Sequence, residues 1–215
     1  MSLELKKRII TSLILLSLLT LMFFYSFILI ISLIIIAIIA WIEFYNLISK
    51  ISKKKLLRFI YKGISLLYLS SIVFIILIIE SKRPELRIII LYSVLVSIAS
   101  DIGGLTFGKI FKGKKLTKIS PKKTISGSFG SFIFSILLIP FFNNYFLDKS
   151  FLIIFIITLI ISFSSQIGDL FISYLKRKAK VKDTSDLLPG HGGFLDRIDG
   201  ILFSIPVGLL LFNIF

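Results

Sequence analysis

Apolar residues fill this chain in long blocks separated by short polar, basic segments, without the strict alternation of a half-buried strand. About 20 residues cross the hydrocarbon core of a bilayer as a helix, so the block over 9–42 predicts two helices broken near Tyr25-Ser26. Glu43, Tyr45 and Asn46 mark the interface that follows, and 49–62 reads as a basic loop. A third span is predicted over 63–79, then a short polar loop over 80–87 with Pro84 as its breaker. A fourth span covers 88–107 and is interrupted by Asp101; a second basic loop covers 109–128. The fifth span is 129–142, the sixth 151–172 with Asp169 inside it, and the seventh 200–215, kinked at Pro206. The class is all-α: one integral-membrane domain over 1–215, a polytopic membrane protein of about seven transmembrane helices.

Composition agrees. The chain has 215 residues, 56% of them hydrophobic and 17% charged, with a mean hydropathy of +1.00. There is no cysteine, which excludes disulfides and thiolate metal sites. The formal charge of +15 would suggest nucleic acid in a soluble protein; in a membrane protein it reports orientation and anionic lipid or nucleotide at one face, so no nucleic-acid partner is expected. The first eight residues and the apolar run after them lack a small-residue cleavage site and read as a retained anchor.

Charge placement sets the orientation. The 49–62 segment carries Lys50, Lys53, Lys54, Lys55, Arg58 and Lys62 without an acid, and 109–128 carries seven lysines without an acid. With the N-terminal segment and the segment after the sixth span, these lie on one side by parity, which the positive-inside rule makes the cytoplasm.

Polar groups within the spans come next. Ser162, Ser165, Gln166, Asp169, Ser173 and Lys176 recur at helical spacing on the sixth span, and Ser97, Asp101, Gly104 and Gly108 on the fourth. Serines and glycines at such spacing serve close helix packing, but an ionisable group at that depth must face a bundle interior or a wet cavity. Asp196 and Asp199, three apart where the last span begins, share a helix face, and Asp169 and Asp196, from two helices, make a carboxylate pair able to bridge a cation.

The segment 173–199 concentrates the remaining chemistry: six cations, four aspartates, the only histidine and three glycines. Carboxylates to hold a divalent ion beside Lys and Arg to hold phosphate oxygens fit a site that handles both. Gly190, Gly192 and Gly193 around His191 let the backbone turn tightly and approach a ligand. In the second basic loop, Ser120, Thr124, Ser126 and Ser128 with Gly127 and Gly130 add hydroxyl and backbone donors to Lys122 and Lys123. That mixture suits an anion that is gripped as well as attracted.

Ser173-x-x-Lys176-Arg177, Lys182-Asp183, Pro189-Gly190-His191-Gly192-Gly193 and Asp196-Arg197-x-Asp199 together resemble the signature of the phosphatidate cytidylyltransferase (CDP-diglyceride synthetase) family. The resemblance extends through residues 101–200. Asp101-Ile102-Gly103-Gly104 is similar to the family's Asp-x-Gly-Ala-Tyr region, Ser120-Pro121-Lys122-Lys123-Thr124 to its Ser-Pro-Lys-Lys-Thr motif, and Gln166-x-Gly168-Asp169-Leu170 to its Gln-x-Gly-Asp-Leu. Two departures stand out: Leu105-Thr106 where the family has Tyr, and Ile125-Ser126-Gly127 where it has Trp-Glu-Gly.

The resemblance implies transfer of the cytidylyl group of CTP to phosphatidate, giving CDP-diacylglycerol and pyrophosphate for phospholipid biosynthesis at the bacterial inner membrane. It implies that Asp169 and Asp196 hold Mg²⁺, with a second cation such as K⁺ nearby, and it allows a homodimer. Lys176 and Arg177 would bind phosphates, Ser173 would donate an oxygen, and Asp199 would orient the loop. Ser120, Lys122, Lys123, Thr124, Lys182, His191, Gly192, Gly193, Arg197 and Asp101 complete the expected substrate contacts. A looser basic loop is expected from Ser126, so that Ser126→Glu would lower KM with little effect on kcat. Two other readings compete: a CTP-dependent membrane lipid kinase, and a transporter with a charged midplane pathway.

Overall fold

A computed structural model describes residues 3–117, 119–146 and 148–214, with side chains from residue 5 onward. Glu4 and Lys118, both counted among the charges above, have side chains outside the described residues. The helices are α1 (Leu3–Phe24), α2 (Ser26–Ile51), α3 (Lys55–Lys82), α4 (Arg87–Ile110), α5 (Ile125–Ile136), the short α6 (Ile139–Phe142), α7 (Phe151–Lys178) and α8 (Leu195–Ile214). Seven helical segments are long and apolar enough to cross a membrane, and no strand occurs among the described residues. The protein is an all-helical, multi-pass membrane protein.

The predicted break lies at Tyr25, whose extended backbone (φ −121°, ψ 109°) separates α1 from α2. The helices otherwise overrun their apolar cores. The expected 49–62 loop shrinks to Ser52–Lys54, because Lys, Leu and Arg are good helix formers and continue the helix once it has been nucleated. At 1.5 Å per residue the 28 residues of α3 extend about 42 Å, beyond a hydrocarbon core of about 30 Å. Likewise α4 runs on to Ile110, and α5 begins at Ile125, four residues before the expected 129. Thr124 sets that start: its Oγ1 accepts the Gly127 N–H at 3.0 Å as an N-cap.

The chain divides into two compact units. The first comprises residues 1–87 and 175–197, hence α1 to α3, the last residues of α7, the connecting segment and the first turn of α8. Leu69, Ile72, Ile76 and Ile79 make a buried stripe on α3 at spacings of three and four. Lys62 stands 3.4 Å over the Tyr45 ring, and Trp41 Nε1 donates to the Lys62 carbonyl at 3.3 Å, fixing α3 to α2. At the α1–α2 break, Arg87 donates to the Phe23 carbonyl (2.8 Å) and to Ser26 Oγ (3.0 Å) while pairing with Glu80.

The second unit comprises residues 88–174 and 198–215. Its helices approach through small residues. A methyl group on Gly103 would overlap the Gly130 carbonyl, one on Gly168 the Asp199 carbonyl, and one on Gly200 the Ser165 hydroxyl. Hydroxyls join the same surfaces: Ser97 to Ser165 at 2.7 Å, Ser162 to Ser100 at 3.1 Å, and Ser131 to the Ser100 carbonyl at 2.7 Å. Tyr92, Phe142, Phe146 and Phe212 form an aromatic cluster, with the Phe146 and Phe212 centroids 4.4 Å apart. The polar stripe read along the sixth span thus splits. Ser162 and Ser165 are packing contacts with α4, and the chemistry is left to Gln166, Asp169 and Ser173.

Candidate active site

In the second unit, the α4 end and the α5 start are joined by a folded basic loop. Lys112 (φ 52°) and Gly113 (φ 105°) turn the chain out of α4, in a region where glycine is favoured and other residues are uncommon. Ile125 N donates to the Lys114 carbonyl (3.0 Å), Leu116 N to the Lys123 carbonyl (2.8 Å) and Lys123 N to the Ser120 carbonyl (3.0 Å). These bonds aim Lys123 at Asp169 of α7, with which it forms an ion pair. Ser173, one turn further along α7, donates to Asp169 Oδ1 at 3.3 Å. One turn before Asp169, Gln166 Oε1 accepts from Ser128 Oγ at 2.5 Å, while the buried Gln166 Nε2 has no hydrogen-bond partner among the described residues. A carboxylate, a lysine, a hydroxyl and an unused amide donor are therefore assembled at one place.

The hydroxyls and glycines of this loop do other work than expected. Thr124 Oγ1 is engaged as the α5 cap, and Gly127 and Gly130 lie against α4 rather than a ligand: a methyl on Gly130 would overlap the Phe107 side chain. Ser126 Oγ donates to the Lys112 carbonyl and contacts Thr124 Oγ1 at 3.0 Å, so it clasps the loop shut. A glutamate there has no proton to donate to that carbonyl. The tightening expected from Ser126→Glu is therefore reversed: the substitution should loosen the loop by about 0.5–1.5 kcal/mol, the worth of one neutral hydrogen bond. Thermal melting in mixed micelles checks this. Lys122 is exposed, and so is Asp101 on α4. Asp199 is buried, with Oδ1 accepting from Gly200 N at 2.9 Å.

In the first unit a second cluster forms around Asp196, the second residue of α8. Its side chain is 2% exposed and pairs through Oδ1 with Lys176 Nζ at 2.5 Å. Oδ2 accepts from Thr184 N (2.8 Å), Thr184 Oγ1 (2.9 Å) and Gly193 N (3.1 Å). The first-turn position also places the charge at the positive end of the helix. Beside it lies Glu43 of α2, 3% exposed, whose oxygens accept from Ser185 Oγ (2.5 Å), Thr184 Oγ1 (2.8 Å), Phe194 N (3.0 Å) and Leu195 N (2.7 Å). Glu43, Thr184 and Ser185 were not expected from sequence as site residues. The available signal was that Glu43, like Asp101 and Asp169, is an acid within the apolar stretches.

The glycine run divides by role. Gly190 (φ 77°) and Gly192 (φ 83°) turn the backbone, with Leu188 and Gly192 bridging across the turn. Gly193 instead makes room: a methyl there would overlap Thr184 Oγ1 and come within 2.7 Å of Glu43 Oε2. Beside this turn, Thr11 of α1 donates to the Pro189 carbonyl at 3.0 Å, and Ser12 Oγ lies 3.4 Å from His191 Nε2. Partial burial, then the Arg197 and Arg8 guanidiniums, hold the imidazole below the ordinary histidine value. At neutral pH His191 is thus an uncharged donor or acceptor, not a countercharge for phosphate. Arg197 Nη2 donates to the His191 carbonyl at 3.0 Å, while Arg177 and Lys182 are exposed cations. Asp169 and Asp196 belong to different units, each with a lysine of its own.

A family model described as the cytidylyltransferase family matches residues 8–215. Among curated proteins, the chain is 42% identical over 141 residues to the phosphatidate cytidylyltransferase of Rickettsia typhi, covering 61% of this chain and 61% of that protein. It is 50% identical over 110 residues to the phosphatidate cytidylyltransferase of Rickettsia felis (46% of this chain, 48% of that protein). With the phosphatidate cytidylyltransferase of Staphylococcus aureus, identity is 43% over 121 residues (55% and 46%). The chain thus spans from about half to three-fifths of the length of the relatives it matches.

Proposed function

The chain belongs to the cytidylyltransferase family, and we propose that it transfers the cytidylyl group of CTP to phosphatidate, releasing pyrophosphate and leaving CDP-diacylglycerol in the bilayer. The observation that carries this reading is the pair of lysine–carboxylate contacts, Lys123 with Asp169 and Lys176 with Asp196, each placed by the motif residues of its own unit. Phosphoryl-type transfer asks a protein for positioning and charge neutralisation rather than a covalent nucleophile, because phosphatidate's own phosphate oxygen attacks the α-phosphorus.

Mg²⁺ is the cofactor of this reading. Among the described residues no group of three or more His, Cys, Asp or Glu forms a metal cage. The donors fit the alternative, in which an octahedral hard cation takes one or two carboxylates and completes its shell with phosphate oxygens and water. Asp169, with a side chain 26% exposed, fits such a cation. Asp196 fits through Oδ1 alone, since Oδ2 is taken by two backbone N–H groups and the Thr184 hydroxyl it shares with Glu43. Asp169 in the one unit and Asp196 in the other would each hold such an ion, which when bound would neutralise phosphate oxygens as charge moves to the leaving pyrophosphate. Lys123 and Lys176 exchange their carboxylates for those oxygens. Ser173 orients Asp169, and Thr184 and Gly193 orient Asp196. The basic segments face the cytoplasm of the inner membrane, where soluble CTP is available.

Membranes carrying the protein, supplied with phosphatidate, Mg²⁺ and CTP labelled at either the α- or the γ-phosphorus, test the reaction. Label in lipid from the α position alone is expected. Label from the γ position indicates a lipid kinase, and none from either overturns the transfer reading.

Lysines of the basic segments should differ in effect. Lys123→Ala is expected to lower kcat/KM at least about tenfold, a loss of about 1.4 kcal/mol, because it removes a cation held beside Asp169. Lys122→Ala should cost less, since that side chain is exposed, and Lys53→Ala should leave kcat/KM unchanged. Equal losses at all three would mean general attraction to anionic lipid.

A further inference from the structure

The Glu43 carboxylate takes no part in the reaction just described, yet it is buried on an apolar helix, where a charge is retained only when its hydrogen bonds are satisfied. Each of its oxygens accepts one hydroxyl and one backbone N–H: Oε1 from Ser185 Oγ and Phe194 N, Oε2 from Thr184 Oγ1 and Leu195 N. Phe194 and Leu195 open α8, so the carboxylate satisfies N–H groups that the helix itself leaves unpaired and meets its positive end. Thr184 is shared. Its one hydroxyl proton is divided between the two carboxylates, Oγ1 lying 2.8 Å from Glu43 and 2.9 Å from Asp196. Glu43 is therefore joined to Asp196 by two routes, through the first residues of α8 and through Thr184.

We propose that Glu43 is a positioning residue of the transfer site, fixing Asp196, and with it Lys176, in the arrangement that receives Mg²⁺ and phosphate. This rests on the cytidylyl-transfer reading. Glu43 touches no substrate and acts through the 184–185 turn and the start of α8. Such outer partners of a metal-binding carboxylate typically matter by about 10–100-fold in metal affinity.

Glutamine separates this role from one of filling space. Glu43→Gln keeps the volume, but whichever way the amide is turned, its NH₂ meets a backbone N–H, of Phe194 or of Leu195. The full chain and its Glu43→Gln and Glu43→Asp variants, purified in mixed micelles, are compared by two readouts. One is the Mg²⁺ concentration giving half-maximal transfer of α-labelled CTP. The other, without substrate or metal, is the rate of tryptic cleavage after Lys180 and Lys182, both exposed in the segment that Glu43 holds.

For Glu43→Gln the half-saturating Mg²⁺ should rise about 10–100-fold, with faster cleavage and unchanged helical circular dichroism. Glu43→Asp, which keeps the charge, should recover most of both. A glutamine variant with wild-type Mg²⁺ dependence and wild-type cleavage overturns the proposal. So does one that merely yields less folded protein with the Mg²⁺ dependence unchanged. A wild-type protein that transfers no label overturns the reaction reading instead, and the cleavage arm still decides whether Glu43 secures the Asp196 segment.

Discussion

In the proposed reaction, Asp196→Asn should cut transfer by at least about a hundredfold, the scale on which single preorganised charge-stabilising groups act, and destabilise the fold as well. All of its hydrogen-bond partners are donors: Lys176 Nζ on one oxygen, Thr184 N, Thr184 Oγ1 and Gly193 N on the other. An asparagine NH₂ confronts a donor in either orientation and leaves Lys176, 13% exposed, without its countercharge. Breaking a buried pair in this way typically costs about 3–5 kcal/mol. Asp169→Asn should be as damaging to transfer but nearly harmless to stability. Asp169 and Lys123 are 26% and 25% exposed, and a pair so screened is worth about 0–1 kcal/mol. Thermal melting in micelles beside kcat/KM separates the two. Equal melting temperatures for the two variants would show that the Asp196 network does not hold the segment together.

Gly193→Ala is the second large effect expected. Unlike Gly190 and Gly192, this glycine has no positive φ, so alanine is not refused by the backbone. It is refused by neighbours: the added methyl overlaps Thr184 Oγ1, lies 2.7 Å from Glu43 Oε2 and 2.9 Å from Ser185 N. Two of those atoms are fixed by hydrogen bonds and the third is backbone, so none can yield cheaply. Overpacking of this kind costs about 1–3 kcal/mol, and transfer should fall about tenfold or more because the displaced groups are those that fix Asp196. Gly63→Ala is the matched control. Nothing lies within 4 Å of a methyl at that helical position, so it should be neutral or stabilising by about 0.4–1 kcal/mol. If both substitutions behaved alike, the close approach at Gly193 would not be structurally significant.

The architecture was legible from sequence wherever one period dominated. The long apolar blocks gave the spans, and the Tyr25 break fell where an over-long block had to divide. The ends of helices were not legible, because lysine and arginine favour a helix as readily as they mark a loop. That is why 55–62 proved helical and why α5 starts at Thr124's cap, four residues before the apolar run. Motif residues such as Lys123, Asp169, Lys176 and Asp196 could be named from their chemistry. Their partners could not be. Glu43 is more than 140 residues from Thr184 in the chain, and a lone acid at the end of an apolar block looks like an interface marker until the fold folds it inward. Glycine was ambiguous in the same way. The run 190–193 read as a tight turn open to a ligand, but its last member is there for the bulk it lacks.

The second unit's reliance on glycine contacts limits how it can change by mutation. A conventional hydrophobic interior is eroded by losing volume, one methylene at a time, and its large residues offer many such steps. At Gly103, Gly130, Gly168 and Gly200 there is nothing to remove, and every substitution adds a side chain where a neighbouring carbonyl, ring or hydroxyl already stands. Drift at these positions is blocked in the only direction open to it. Compensation would require two helices to move apart together, which a single substitution elsewhere cannot achieve. Sequence change in this unit should therefore collect on its outward-facing residues, while these four contacts persist as glycine under random mutagenesis with selection for transfer.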